Sequence, residues 1–177
     1  MQTKKKAVRM RKPSTGELVA LRDQLSQLKL LGAVDLQRIR LLEITEGTYM
    51  DVFEVPSTYA RLLEGRLAVR SPYASGFYVG VLDKPTLRFK PSIPLAFRAC
   101  RLCGLTLDCH IVDERGALIF TYGKPVMPDK IINIAGNLAP VSSENGYCLG
   151  WGKPCRRDTI KYLCPQGDVG WYLRRGG

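Results

Sequence analysis

The sequence predicts an α+β protein of two units, a mixed α/β domain followed by a small β-barrel. Three observations carry that expectation. Ser14 and Glu17 stand at capping-box spacing ahead of an apolar stripe of Leu18, Leu21, Leu25 and Leu28. A second helix is expected over residues 93–102, with Ser92 at its start, Pro94 in its first turn and Gly104 as its stop. Beyond Gly104 the chain turns into short alternating segments separated by turn residues, which is how small barrels read.

In chain order, residues 1–13 are expected to form a basic disordered tail, residues 14–103 the α/β domain and residues 104–177 the barrel. The first helix covers about residues 15–31 and stops at Gly32; residues 36–44 fit either strand or helix. A turn at Glu46-Gly47 precedes a strand over 48–55, and Pro56-Ser57 opens a short helix over 58–63 that Gly65 ends. Strands follow over 67–70 and 73–82, and a turn at Asp83-Lys84-Pro85 leads to a hairpin partner over 86–90. In the second unit, residues 105–112 alternate like a strand. Asp113-Glu114-Arg115-Gly116 reads as a hairpin turn, with its return strand over 117–122. A short helix over 129–134 and a strand over 138–141 come next, then a tight turn at 143–146 with its partner over 147–151. A strand over 159–164 and a closing helix over 167–174 complete the reading.

The formal net charge is +11, and it is unevenly placed. Lys4, Lys5, Lys6, Arg9, Arg11 and Lys12 precede the first acid, Glu17. Residues 13–103 carry +3, residues 104–149 carry −2 and residues 150–177 carry +4. Basic ends suit a polyanion, because each neutralised phosphate releases condensed counterions; a solubilising tail and a solvated face are the plainer reading of a charge run alone. No apolar run approaches the ~18–20 residues that span a bilayer, and no apolar segment follows the charged N-terminus as a secretory signal would. A soluble intracellular protein is expected.

Residues for catalysis are hard to find. The single histidine, His110, sits in an alternating segment with no partner at triad or ligand spacing, and is read as an ordinary strand residue. Phosphate-binding glycine loops and hydrolase or metalloprotease motifs are absent from the sequence. The glycines of the 146–152 stretch fit tight curvature or close backbone approach better than a phosphate cradle. Asp113-Glu114, at turn positions, is read as a solvated pair. Cys100 and Cys103 have the spacing of half a zinc or redox site, but Cys109, Cys148, Cys155 and Cys164 are single. Cys100 and Cys103 are therefore expected to pack on a helix without metal, and structural disulfides stay open as an alternative.

What remains is a basic C-terminal segment. Lys153, Arg156 and Arg157 are read in a loop after Trp151, Lys161 begins the next strand, and Arg174 and Arg175 lie near the end. Tyr147, Trp151, Tyr162, Trp171 and Tyr172 are interleaved with them. Rings that stack bases and cations that hold phosphates together suit single-stranded RNA, although Trp151 and Trp171 fit the barrel core better.

Three segments resemble a known family. The run from Ile119 through Tyr122-Gly123 to Ile131, Leu149-Gly-Trp-Gly152, and Gly167-Asp-Val-Gly-Trp-Tyr-Leu-Arg174 resemble PUA-domain motifs of the Nip-seven family of ribosome-biogenesis factors. In the first domain, Phe53-Glu-Val-Pro-Ser57 and Ser75-Gly-Phe77 resemble that family's pre-PUA segments. The loop after Gly152 is shorter than in longer members, and the basic N-terminal tail has no clear counterpart. The resemblance implies a pre-PUA domain joined to a PUA barrel, acting in large-subunit maturation and pre-rRNA processing and binding uridine-rich RNA. It implies no enzyme and no cofactor, with pre-rRNA and ribosome-assembly proteins as partners of a monomer. It would place the protein in the cytoplasm of a prokaryote or the nucleolus of a eukaryote. The expected RNA-binding residues are Lys153, Arg156, Arg157, Lys161, Arg174 and Arg175. Two alternatives stand beside it: a PUA-bearing RNA-modification enzyme or accessory subunit, and a basic protein–protein adaptor.

Overall fold

The computed structural model describes residues 8–60, 76–171 and 174. It divides into two compact units, residues 1–94 and 95–177. Both are mixtures of sheet and helix, as an α+β chain requires.

The first unit is a five-stranded antiparallel sheet in the order β1-β2-β3-β4-β5. Its strands are β1 (Val8–Arg11), β2 (Ile39–Ile44), β3 (Tyr49–Glu54), β4 (Phe77–Asp83) and β5 (Phe89–Pro91). Helix α1 (Thr15–Gln27) starts as the local sequence dictates. The Ser14 hydroxyl accepts from the Glu17 amide, and the Glu17 carboxylate accepts from the Ser14 amide. Leu21 and Leu25 supply its buried stripe. The helix ends at Leu28 rather than at Gly32, because Lys29 takes the left-handed conformation (φ 56°) that terminates it, and a 3₁₀ turn follows over Leu31–Ala33. The ambiguous residues 36–44 resolve into a 3₁₀ turn, Leu36–Arg38, and strand β2.

The expected disordered tail is corrected in part. Val8–Arg11 pairs along β2 from Val8↔Ile44 to Arg11↔Leu41, and Met10 is buried. Arg11 is held as well: its guanidinium donates twice to Glu17 at 2.7 Å, and its Nε donates to Glu43 at 3.0 Å. Lys84 reaches Glu43 at 2.9 Å, so β1, α1, β2 and the β4–β5 turn share one ionic network. These neighbours hold Glu17 near pKa 2, with the Arg11 hydrogen bonds as the main cause, and depress Glu43 through Lys84 and Arg11. Residues 57–60 are helical. The rest of that expected helix, the strand over 67–70 and the start of the strand over 73–82 lie outside the described residues.

The second unit is a five-stranded sheet in the order β10-β9-β8-β6-β7. Helix α2 (Ile93–Cys100) leads into it, followed by β6 (His110–Val112), α3 (Glu114–Thr121), β7 (Ile131–Asn133), β8 (Ala139–Ser143), β9 (Cys148–Arg157) and β10 (Ile160–Asp168). Among the described strands of this unit, β6 and β8 pair in parallel and the other neighbours antiparallel. Mutual backbone bonds between Val126 and Leu163, at 2.9 and 3.0 Å, carry the sheet round towards closure. Val112, Phe120, Val126, Val141, Leu149 and Leu163 fill the interior. The division falls before the expected one at 103/104. Cys100 Sγ lies 3.8 Å from the Val141 carbonyl, and a Cys103–Cys109 disulfide ties the stretch after α2 to the approach to β6.

The expected hairpin at 113–122 is a helix. Asp113 is its N-cap, and its carboxylate accepts from the Gly116 amide at 2.6 Å. Asp-x-x-Gly fits a tight turn and a helix start equally well. Tertiary contacts decide: Phe120 is fully buried, and Gly116 runs so near the Lys130 carbonyl that a Cβ would come within 2.8 Å of it. The expected helix over 129–134 is a 3₁₀ turn, Pro128–Lys130, followed by strand β7. The expected closing helix over 167–174 begins later, because β10 continues to Asp168; among the described residues only Trp171 and Arg174 are helical. Among the described residues, no helix is long and apolar enough to cross a membrane.

Candidate nucleic-acid interface

The basic segment is not a loop. Lys153, Arg156 and Arg157 belong to β9, which runs ten residues before turning at Asp158-Thr159, and Lys161 is the second residue of β10. Asp158 takes φ 55°, the left-handed conformation a tight hairpin needs and one that aspartate tolerates. Register places Arg156 opposite Lys161, Arg157 opposite Ile160 and Lys153 opposite Cys164. Residues alternate across a strand, so Arg156 and Lys161 share one face of the hairpin. Cys155, Arg157, Tyr162 and Cys164 share the other. Among the described residues, the side chains of Lys153, Arg156, Arg157 and Lys161 have no hydrogen-bond or ion-pair partner.

Cys155 and Cys164 form a disulfide diagonally across the hairpin, with Cα atoms 5.8 Å apart. It pins the register of the strand ends that carry the cations. Beside it lies a hollow of about 260 Å³ lined by Pro125, Cys155, Arg156, Arg157, Tyr162 and Cys164. Pro125 reaches it because the neighbouring Val126 pairs with Leu163. An apolar wall of disulfide, proline and tyrosine flanked by two unpaired arginines can hold a base against its side and phosphates along its rim. Sequence reasoning found the cations and named Tyr162, but it missed Pro125 and left disulfides only as an open alternative without a pairing. One usable signal was present: Cys155 and Cys164 stand on either side of the Asp158-Thr159 turn, nine residues apart.

Arg174 is placed differently. Its guanidinium donates to both oxygens of the buried Asp168 carboxylate at 2.8 Å and also to the Thr121 carbonyl. That fork ties Arg174 to the end of α3 and to β10, and the Asp168 bond raises the arginine's pKa. Arg175 lies outside the described residues. Trp151 is buried, as expected, whereas Trp171 is 44% exposed and Tyr147 is 72% exposed. Of the 146–152 glycines, Gly150 and Gly152 serve close approach, whereas Gly146 stands in open space and takes the positive φ (82°) of the turn. Gly150, at φ 131°, leaves no room for a Cβ beside the Gly167 carbonyl, so β9 and β10 cross there backbone to backbone.

His110 is more than an ordinary strand residue. It is fully buried, its Nδ1 accepts from the Ala135 amide at 3.0 Å, and its Nε2 lies 3.1 Å from the Asn137 and Gly152 carbonyls. An acceptor at Nδ1 requires the neutral tautomer with its proton on Nε2, and burial lowers the ring's pKa. The ring staples the loop before β8 to β6 and β9, and both nitrogens are occupied. Cys103, bonded to Cys109, lies beyond the end of α2 rather than on it, which corrects the expectation of two helix-packed thiols at 100 and 103. Among the described residues, no group of three or more His, Cys, Asp or Glu side chains is arranged to hold a metal.

Comparison with known proteins agrees with this architecture. A family model described as the UPF0113 PUA domain matches residues 108–177. A UPF0113 protein of Aeropyrum pernix is 36% identical over 131 residues, which cover 74% of this chain and 72% of that one. A hypothetical protein of the hyperthermophilic archaeon Pyrococcus horikoshii superposes with TM-score 0.56 at 13% identity, over 93% of this chain and 98% of that one. A PUA domain from Aeropyrum pernix, solved as a tartrate complex, gives 0.54 at 14% over 94% and 90%. A conserved PUA domain protein of Thermoplasma acidophilum gives 0.51 at 13% over 92% and 96%. At such identities the structural likeness speaks for the fold alone.

Proposed function

The chain belongs to the UPF0113 protein family, and from that premise we propose that it is an RNA-binding factor of large-subunit ribosome assembly and pre-rRNA processing. It holds single-stranded, uridine-rich RNA on its C-terminal PUA domain and catalyses no reaction itself. The observation that carries this reading is the β9–β10 hairpin, where Lys153, Arg156, Arg157 and Lys161 stand unpaired beside the Tyr162 hollow. The disulfide fixes the backbone that carries these cations, so binding costs their side-chain rotamer freedom but little backbone ordering. A base placed against Tyr162 adds stacking of about 1–3 kcal/mol. The role without turnover is supported by His110, whose ring nitrogens are both engaged with backbone and cannot serve as a general base. The finer identity, the Nip-seven type of assembly factor working with other assembly proteins wherever the ribosome matures, follows from the motif resemblance at Leu149–Gly152 and Gly167–Arg174.

The test is anisotropy of fluorescein-labelled U12 RNA with the full chain over a salt series. Binding should weaken with salt, and changing Arg156 and Arg157 together to alanine should flatten the log–log slope by about 1.4, two contacts at ~0.7 each. Unchanged affinity and slope in that variant would remove the hairpin from the interface.

A further inference from the structure

A second hollow lies on the first unit and uses none of the β9–β10 hairpin residues. It measures about 250 Å³ and is lined by Tyr49, Asp83, Thr86, Arg88, Phe89 and Lys90. Register brings Tyr49, Asp83 and Lys90 to one face of the sheet: Tyr49 pairs with Asp83, and Lys90 with Val81, two residues from Asp83, while Phe89 pairs with Leu82 and belongs to the other face. Edge strand β5 and the residue before it carry Arg88 and Lys90, both exposed. Lys90 Nζ stands 5.6 Å above the Tyr49 ring, which fixes the ring while 49% of Tyr49 remains exposed. Among the described residues, Arg88 has no side-chain partner.

The turn that forms the rim is braced. Gln24 of α1 donates to the Leu87 carbonyl at 2.7 Å and accepts from the Phe89 amide at 2.8 Å. It thereby holds Leu87 in the left-handed conformation, φ 53°, a costly state for a leucine. Thr86 donates to the Asp83 carboxylate across the same turn. A strained and cross-braced turn carrying an aromatic, two cations and an anchored acceptor is a preorganised binding surface.

We propose that this hollow is a second contact site for single-stranded RNA, seating one nucleotide with its base on Tyr49, its phosphate at Arg88 and Lys90, and a hydroxyl or base N–H on Asp83. The volume is below the ~300–1,000 Å³ of pockets that enclose whole ligands, and suits a single unit of a strand lying across the surface. Asp83 favours RNA over an acidic peptide because its carboxylate can accept from a ribose 2′-hydroxyl or a base N–H, donors that glutamate and aspartate side chains lack at neutral pH. The proposal rests on the RNA-binding reading for its partner class, and on none of the β9–β10 residues.

The experiment uses the full chain, labelled U12 RNA and a labelled deca-glutamate peptide, with folding checked by circular dichroism. Changing Arg88 and Lys90 to alanine should weaken U12 binding and flatten its salt slope by about 1.4. Tyr49→Ala should lower affinity roughly five- to hundredfold, with little change in slope. U12 should crosslink to Tyr49 under ultraviolet light in the unmodified chain. If both variants bind U12 as the unmodified chain does while the Arg156/Arg157 variant loses binding, this proposal is overturned and the hairpin reading stands. The reverse pattern supports this site and overturns the hairpin. Failure of the unmodified chain to bind U12 overturns both, and deca-glutamate binding that vanishes with Arg88 and Lys90 replaces RNA with an acidic protein.

Discussion

Arg156 and Lys161 stand directly opposite one another across the β9–β10 hairpin, two like charges at paired positions with no acid between them. Such a pair costs a hairpin a few tenths of a kcal/mol to about 1 kcal/mol. A phosphate seated between the two would remove that repulsion, so binding and stability are in tension here. Arg156→Glu should therefore raise hairpin stability by about 0.5 kcal/mol, through a new cross-strand pair with Lys161. It should also cut RNA affinity more than Arg156→Ala does. Thermal melts and U12 titrations read the two effects, and a variant that both melts lower and binds unchanged would contradict the arrangement.

The Cys155–Cys164 disulfide closes a short loop around the turn. Loop-closure entropy for a loop of this size corresponds to roughly 2–3 kcal/mol. Cys155→Ser with Cys164→Ser should lower the denaturation midpoint accordingly while leaving the Cys103–Cys109 bridge intact. RNA affinity should fall as well, since the strand ends that carry Arg156 and Arg157 lose their fixed register. Alkylation with mass spectrometry on the non-reduced protein supplies the control, with two disulfides and the Cys100 and Cys148 thiols expected.

The Arg11–Glu17 pair predicts acid sensitivity in the first unit. Glu17 titrates near 2 in the folded chain, against an ordinary value of 4.5, so the folded state disfavours its protonation. Its contribution is complete above about pH 4.5 and disappears as pH falls towards 2. Glu17→Gln keeps a capping partner for Ser14 but loses the ion pair. It should cost about 1–2 kcal/mol at neutral pH, between the values for exposed and buried pairs, because both side chains are partly screened. Urea melts at pH 7 and pH 3 should show the difference between variant and unmodified chain shrinking with acid.

Local chemistry was legible in the sequence, and long-range pairing was not. The α1 capping box lies within four consecutive residues, and Ser14 and Glu17 bond as read. Residues 113–122 were misread because Asp113 can open a turn or cap a helix, and the choice is made by Lys130 and by the core around Phe120. Strand β9 was cut short after Trp151 because Lys153, Pro154 and Arg156 do not read as strand, yet pairing with β10 extends it to Arg157. The same limit applies to the site. Charge alone marked Lys153, Arg156, Arg157 and Lys161, whereas Pro125 arrives through the Val126–Leu163 pairing. Arg174 looked equivalent to the other cations because its partner Asp168, six residues away, becomes a buried acceptor only when the barrel closes.

His110 is the only histidine in the chain, which makes its titration separable from every other group. Burial lowers its folded pKa below the ordinary 6.5, so the neutral ring is the form the folded state prefers. Above about pH 6.5 both folded and unfolded chains carry it neutral, and stability does not depend on its protonation. As pH falls below 6.5 the unfolded chain takes up a proton that the folded chain refuses, and the unfolding free energy falls. The slope approaches about 1.4 kcal/mol per pH unit until the folded pKa is reached. Among the described residues, Glu17 and Glu43, both depressed, act mainly below about pH 5, so His110 dominates the window from roughly 5 to 6.5. His110→Gln should abolish that slope. It should also lower stability at pH 7.5 by about 1–3 kcal/mol, since a glutamine cannot satisfy Ala135, Asn137 and Gly152 in the same geometry. Urea unfolding at half-unit steps from pH 5 to 7.5 measures both effects, and a slope that survives in the variant would show that another group titrates in this window.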